Sequence, residues 1–272
     1  MSSIALTIAG SDSGGGAGIQ ADLKTFSALG VYGASVLTAL TAQNTLGVQG
    51  IHDVPPTFIG QQLDSVLSDL AVDAIKIGML SRPDAIREIA RKLEYYKCSK
   101  VVLDPVMVAA SGDPLLADDA IADLVGALFP VASVVTPNLQ EAARLLECSI
   151  ATNASDMEAQ AAQLLELGPG AVLLKGGHGE GPESNDLLLS ATGAHWFSAP
   201  RHETANTHGT GCTLSSAIAA GLAKGLEMPQ AVAQAKTYVT TAIRAADTLK
   251  IGSGHGPVHH FHSFWDGTND DG

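Results

Sequence analysis

A chain of 272 residues, 46% of them hydrophobic, is long enough to bury a large core. No run approaches the roughly 18 apolar residues of a membrane helix, and the first six residues lack the basic and apolar regions of a secretory signal. A net charge of −13 opposes binding to nucleic acid or to anionic membrane, and the widely spaced Cys98, Cys148 and Cys212 fit a reducing compartment, so a cytoplasmic protein is expected.

Residues 4–9 predict a first strand. Residues 18–29 follow as a helix, with Ile19, Leu23, Phe26 and Leu29 on one face and Gly30 as its stop. A strand over 34–42 and a helix over 55–70, opening near a proline, come next. Residues 74–78 predict a strand and 82–95 a helix. Buried strands are expected at 101–104, 133–136 and 171–175, with helices at 117–128, 139–146 and 156–167. Residues 186–189 and 195–198 predict a hairpin, and helices at 212–224 and 229–249 close the pattern. Such alternation predicts an α/β fold of three layers, helices on both faces of a mainly parallel central sheet. A single domain over residues 1–250 is expected, with residues 251–272, rich in Gly and His, as a surface extension. Ligands in such folds sit outside the carboxyl ends of the strands.

The most informative segment is His208-Gly209-Thr210-Gly211-Cys212-Thr213, just before an apolar helix. Two glycines and the free amides of a helix start make an anion-binding nest suited to a phosphoryl group. The alternative is an ordinary glycine turn. Cys212 reads either as a packing cysteine or as a reactive one whose pKa the helix start lowers. A second glycine-rich segment, Gly10-Ser11-Asp12-Ser13-Gly14-Gly15-Gly16-Ala17-Gly18, follows the first strand. It matches neither a Walker A loop nor the dinucleotide fingerprint. It reads as backbone close to a flat ligand, as a flap that closes over substrate, or as a solvent loop. Any acid or base in it would have to be Asp12.

Polar residues also stand where strands end. Asp104 closes residues 101–103, Asn138 and Glu141 follow 134–137, and Lys175 closes 172–174. Phosphoryl transfer needs acidic and amide oxygens for hydrated Mg²⁺ and a lysine for the phosphates. A turn former, a helix N-cap and a solvated strand end are the respective alternatives. Gln43 ends a strand and has an amide able to read a ring nitrogen beside an exocyclic amine. Met79 reads as the wall of a ligand slot or as ordinary core. His259, His260 and His262 are spaced like a metal cluster but fall in the expected tail.

Residues 9–22, 41–45, 77–80, 102–107, 136–142, 174–178 and 208–217 resemble, in order, the signature segments of the hydroxymethylpyrimidine/phosphomethylpyrimidine kinases, members of the ribokinase-like superfamily. The resemblance implies a ribokinase-like fold, commonly a homodimer, with ATP as phosphate donor, Mg²⁺, and 4-amino-5-hydroxymethyl-2-methylpyrimidine as acceptor. It implies two successive phosphorylations on the way to thiamine. By the same resemblance Gln43 binds the aminopyrimidine, with Gly10, Met79 and Val106 near the ring. Lys175 contacts phosphate, and Asp104, Asn138 and Glu141 order Mg²⁺ and its waters. Gly209, Thr210 and Gly211 offer amides to the anion, and Cys212 takes the catalytic position where most of the superfamily has Asp. A pyridoxal/pyridoxine kinase is the nearest alternative. A noncatalytic pyrimidine or nucleotide sensor is the alternative of another class, and it would not need Lys175, Glu141 and the nest together.

Overall fold

The computed structural model describes residues 2–108, 115, 117, 119–177 and 181–265. Within them one sheet of nine strands runs in the order β3-β2-β1-β4-β5-β6-β7-β8-β9. The central six, β2 (Tyr32–Asn44), β1 (Ile4–Asp12), β4 (Ala74–Ile77), β5 (Val101–Leu103), β6 (Val134–Val135) and β7 (Ala171–Leu174), are mutually parallel. The edges are antiparallel: β3 (Gly47–Asp53) folds back on β2, and β8 (Glu183–Ser190) and β9 (Gly193–Pro200) form a hairpin beside β7. The sequence pattern misses β3, whose side chains alternate weakly because much of the strand is exposed.

Strand β1 passes under both helical layers, and its alternating side chains divide between them. Leu6 and Ile8 point to a cluster with Ile59 and Leu63 of α2 (Pro56–Leu67), Ile86 and Ile89 of α3 (Pro83–Tyr95) and Leu164 of α6 (Ala154–Glu166). Ala5 joins the opposite cluster, with Phe26 of α1 (Gly18–Ala28), Leu214 and Ile218 of α7 (Thr210–Ala223) and Val239 of α8 (Met228–Arg244). The period-2 geometry of strands requires this division when both faces are covered. The expected helix over 117–128 is shorter and irregular where described: α4 (Ala120–Asp123) widens into a π turn over Leu124–Leu128 and a 3₁₀ turn over Phe129–Val131. The last expected helix ends at Arg244, followed by a 3₁₀ turn over Ala246–Thr248.

The segment after Lys250 departs from the expected surface extension. Residues 256–260 are buried, Val258 completely. The His255 N–H donates to the Thr45 carbonyl, the His259 N–H to that of Ala242, and Pro257 pairs with His208 in a parallel bridge. The segment therefore straps the β2–β3 turn to the start of α7. The sequence conceals this because Gly and His residues read as polar punctuation, whereas here small residues let the strap lie against Thr45 and Asn206. A chain ending at Lys250 is expected to lose at least about 3 kcal/mol of stability, from the lost burial of Pro257 and Val258 and of two histidines. Urea unfolding measures this, and an unchanged midpoint would return the segment to the surface.

Candidate active site

The carboxyl ends of β1, β4, β5, β6 and β7 open into one cavity of about 720 Å³, the size of a small-molecule site. The topology predicts this place, because β2 and β4 leave β1 on opposite sides and so create a switch point. Every residue that the family resemblance names lines the cavity: Gly10, Gln43, Met79, Asp104, Val106, Asn138, Glu141, Lys175, Gly209, Thr210, Gly211 and Cys212. Gly10, Met79 and Gln43 stand close together in its wall. A Cβ built on Gly10 would come within 3.1 Å of the Met79 sulfur, so the glycine backbone and the thioether face each other closely. Gln43 stands beside them, its Oε1 accepting from the Thr41 hydroxyl at 3.1 Å and its backbone joined to the Ser13 hydroxyl.

The glycine turn before α7 forms at the place the sequence predicts. Gly209 caps α7 in the left-handed region, φ 79°, and a side chain there would overlap the Gly16 carbonyl oxygen. Asp104 and Lys175 meet the nest from the sheet: a Cβ on Gly211 would lie 3.5 Å from both the Asp104 carboxylate and the Lys175 ammonium. Lys175 Nζ donates to Asp104 Oδ1 at 2.8 Å, and the Thr136 hydroxyl donates to the same oxygen at 3.0 Å. Burial would raise the Asp104 carboxyl, but the ammonium groups of Lys175 and Lys76 hold it below the usual range.

Asn138 and Glu141 are tied to each other. They form a capping box at the start of α5 (Leu139–Leu145), the Asn138 side chain accepting from the Glu141 N–H and the Glu141 carboxylate from the Asn138 N–H. The N-cap reading of Asn138 is thus realised, and the box holds both side chains at the cavity wall. Burial pushes the Glu141 carboxyl up to about 7, with Asp104 adding to the rise and Lys175 opposing it. Among the described residues no three His, Cys, Asp or Glu side chains form a ready-made metal cage. Mg²⁺ does not need one, since it keeps waters and binds through one or two carboxylates together with substrate phosphates. Two buried carboxylates in one cavity, one of them raised by burial to about 7, are the kind of oxygen donors a divalent cation takes.

Two sequence expectations are corrected. The helix start does not lower the Cys212 pKa: burial pushes the thiol up to about 11, outweighing Lys76 and the Gly18 N–H, which pull it down. Asp12 is no free base either. Its carboxylate accepts the Gly14, Gly16 and Ala17 amides and His208 Nε2 at 2.8–3.0 Å. Burial opposes its charge, yet His208 and these amides hold its pKa below normal. This network folds the glycine-rich loop around one side chain and ties it to the residue before the nest. His208 stands in the quoted motif, but a contact across 196 positions has no local signal. Sequence reasoning also missed Lys236, bonded to Asp186 at 2.7 Å, and Asp186 in turn accepts the Gly176 N–H beside Lys175. His178 of the quoted motif lies outside the described residues. His260 is no metal ligand here: it is buried against the Thr213 hydroxyl at 3.0 Å, with burial pushing its pKa down to about 3.

The phosphomethylpyrimidine kinase family matches residues 12–259. A hydroxymethylpyrimidine/phosphomethylpyrimidine kinase of Rhizobium meliloti is 57% identical over 265 residues, which cover 97% of this chain and 99% of the relative. This chain belongs to that kinase family. Among solved structures, phosphomethylpyrimidine kinase from Clostridium difficile shares 45% identity at a TM-score of 0.79, over 88% of this chain and 99% of its own. The Bacillus subtilis pyridoxal kinase in its ADP complex shares 36% identity at a TM-score of 0.87, over 96% and 98%. The fold is therefore the one the resemblance implies, and the activity is that of a kinase.

The Glu141 carboxyl gives a pH signature. Its pKa in the folded protein, about 7, lies above the ordinary value of 4.5, so between these pH values the folded state holds a proton that the unfolded chain releases. Its contribution to stability is fully present below the ordinary value and is lost as pH rises through 7. Urea midpoints from pH 4.5 to 8 are expected to fall more steeply for the unmodified protein than for Glu141→Gln, which keeps the capping box. Equal slopes would assign the buried proton elsewhere.

Proposed function

We propose that the protein transfers the γ-phosphoryl group of ATP to the hydroxymethyl oxygen of 4-amino-5-hydroxymethyl-2-methylpyrimidine, and then a second phosphoryl group to the monophosphate, in thiamine biosynthesis. The observation that carries the reading is convergence in one cavity. Gly10, Gln43, Met79 and Val106, read as the pyrimidine slot, line the same cavity as Cys212 and as Lys175 and residues 209–211, read as the anion site. The Gln43 amide reads the aminopyrimidine edge, and the Met79 thioether packs on the ring face. An apolar wing lined by Pro200, Leu214, Val239 and Ile243 takes the adenine, which places the γ-phosphate toward the nest.

Asp104 and Glu141, with Asn138 ordering water, would hold Mg²⁺, which would supply charge neutralisation for the phosphates when bound. Lys175 and the amides of Gly209, Thr210 and Gly211 stabilise the charge on the transferring group. Cys212 positions the acceptor hydroxyl, and its minor thiolate form takes the proton late to become the thiol, since a loose transition state needs little proton loss beforehand. The three free cysteines fit a cytoplasmic, reducing setting. The exposed apolar side chains of Leu40, Leu46, Ile51 and Phe58 along β2, β3 and α2 support a homodimer.

The test is to incubate the protein with MgATP and, separately, the pyrimidine alcohol, its monophosphate and pyridoxal, and to follow product masses. Mono- and diphosphates of the pyrimidine are expected. Phosphate on pyridoxal alone would transfer the reading to a vitamin B6 kinase, which the close fold match to such an enzyme keeps as the second candidate. Cys212→Ser is expected to lower kcat at least about tenfold while pyrimidine affinity changes much less. Near-normal turnover in that variant would remove Cys212 from the proton path.

A further inference from the structure

One side-chain contact joins the two glycine-rich segments of the cavity wall. Strand β1 carries both Gly10 and, as its last residue, Asp12. The loop that follows is wound on the Asp12 carboxylate. One oxygen accepts the Gly14 N–H at 2.8 Å, and the other accepts the Gly16 and Ala17 N–H groups at 3.0 and 2.8 Å. His208 Nε2 reaches that second oxygen at 2.9 Å. Asp12 and His208 are both buried, and both line the cavity.

His208 is held on its other sides as well. Its N–H donates to the Gly256 carbonyl at 3.1 Å, and its carbonyl accepts the Val258 N–H at 3.3 Å, both in the strap. The residue after it, Gly209, turns in the left-handed region directly against the loop. A Cβ on Gly209 would overlap the Gly16 carbonyl oxygen, and a Cβ on Gly16 would strike the His208 ring. The two segments therefore meet backbone to backbone, with the ring bridging them. Asp12 already has three amide donors, so its buried charge does not depend on the histidine alone. What the ring adds is a fixed distance between the end of β1 and Gly209.

We propose that His208 is a positioning residue for phosphoryl transfer: by joining Asp12 to Gly209 it sets the distance between the acceptor, held at β1, and the amides of residues 209–211 that receive the phosphoryl group. The inference rests on the reading of Gly10 as part of the acceptor slot and of residues 209–211 as the anion site. Gly10 and Asp12 are two residues apart on one strand, and His208 and Gly209 are consecutive. One hydrogen bond thus relates the place of the acceptor to the place of the phosphate. Transfer is sensitive to that separation, since misplacement by about 1 Å can cost a hundredfold in rate. Each substrate is bound by its own segment, whereas their mutual approach depends on the bond between the segments. Losing that bond is expected to slow transfer more than it weakens either substrate's binding.

The experiment measures single-turnover transfer from MgATP to the acceptor that the unmodified protein phosphorylates. His208→Leu keeps a comparable volume and removes the donor. His208→Gln places an amide N–H near the position of Nε2, and His208→Asn places one a bond short of it. His208→Leu and His208→Asn are expected to slow transfer about tenfold, while the ATP and acceptor concentrations giving half the maximal rate change by no more than about threefold. His208→Gln is expected to recover most of the loss. Gly16→Ala tests the same bond with His208 in place. Gly16 is not at positive φ, so alanine fits its backbone, and the added Cβ pushes the ring from Asp12. It is expected to slow transfer by a similar factor. A folded His208→Leu with unchanged transfer would overturn the proposal, as would a loss explained by weaker ATP or acceptor binding. Where His208→Leu does not fold, glutamine performing no better than asparagine, or full transfer in Gly16→Ala, would overturn it equally. Product from pyridoxal and none from the pyrimidine would strike at the substrate reading instead, and the role of His208 would then be read on pyridoxal.

Discussion

The structure is organised by one electrostatic constraint: a chain of net charge −13 has to hold a polyphosphate and must do so with few cations. Around the cavity it buries three lysines against carboxylates. Lys175 pairs with Asp104, Lys76 with Asp22 and Lys236 with Asp186. Buried pairs of this kind gain little net stability, since desolvation offsets most of the attraction. What they do is fix direction. Each carboxylate is also held by hydroxyls or amides, so each ammonium has one place to stand, and a fixed charge in a water-poor cavity acts more strongly than a mobile one in water.

Backbone amides at the helix starts add to the positive potential. Gly209 turns the chain so that α7 begins at the cavity, and α1 begins opposite it at Gly18. Asp12 would work against an anion site if its charge faced the cavity bare. Three amides and His208 surround it instead. Its charge is thereby spent within the loop, and the loop is fastened to the nest. The same side chain that a sequence reader takes for an acid or base is the peg around which the glycine-rich segment is wound.

What was legible in the sequence follows from this. The parallel core strands and the positions of Asp104, Asn138, Glu141, Lys175 and residues 209–212 are written locally, in apolar runs that stop at a polar residue and in glycines before a helix. The fold and the cavity follow from them. Long-range electrostatics are not local. Helix starts lower thiol pKa values in general, but whether burial and Asp104 outweigh that at Cys212 depends on side chains more than a hundred positions away. Lys76 sits in an otherwise apolar strand, and a charged residue at such a position signals a buried partner. The partner, Asp22, lies 54 residues earlier on a helix face and has no spacing by which to be found.

The strap after Lys250 shows the same limit from the side of packing. Read alone, residues 251–260 have no periodicity and many turn formers. In the folded chain they meet Thr45, two residues from Gln43, at one end and His208, next to Gly209, at the other. Two halves of the cavity that belong to distant parts of the sequence are thus held at a common spacing by a third. Phosphoryl transfer is sensitive to the separation of acceptor oxygen and phosphorus, and misplacement by about 1 Å can cost a hundredfold in rate. On the proposed reading, with the acceptor held by residues of β1, β2 and β4 and the phosphates by residues of β7 and α7, a tie between them is needed that does not pass through the substrate, and the strap occupies that position.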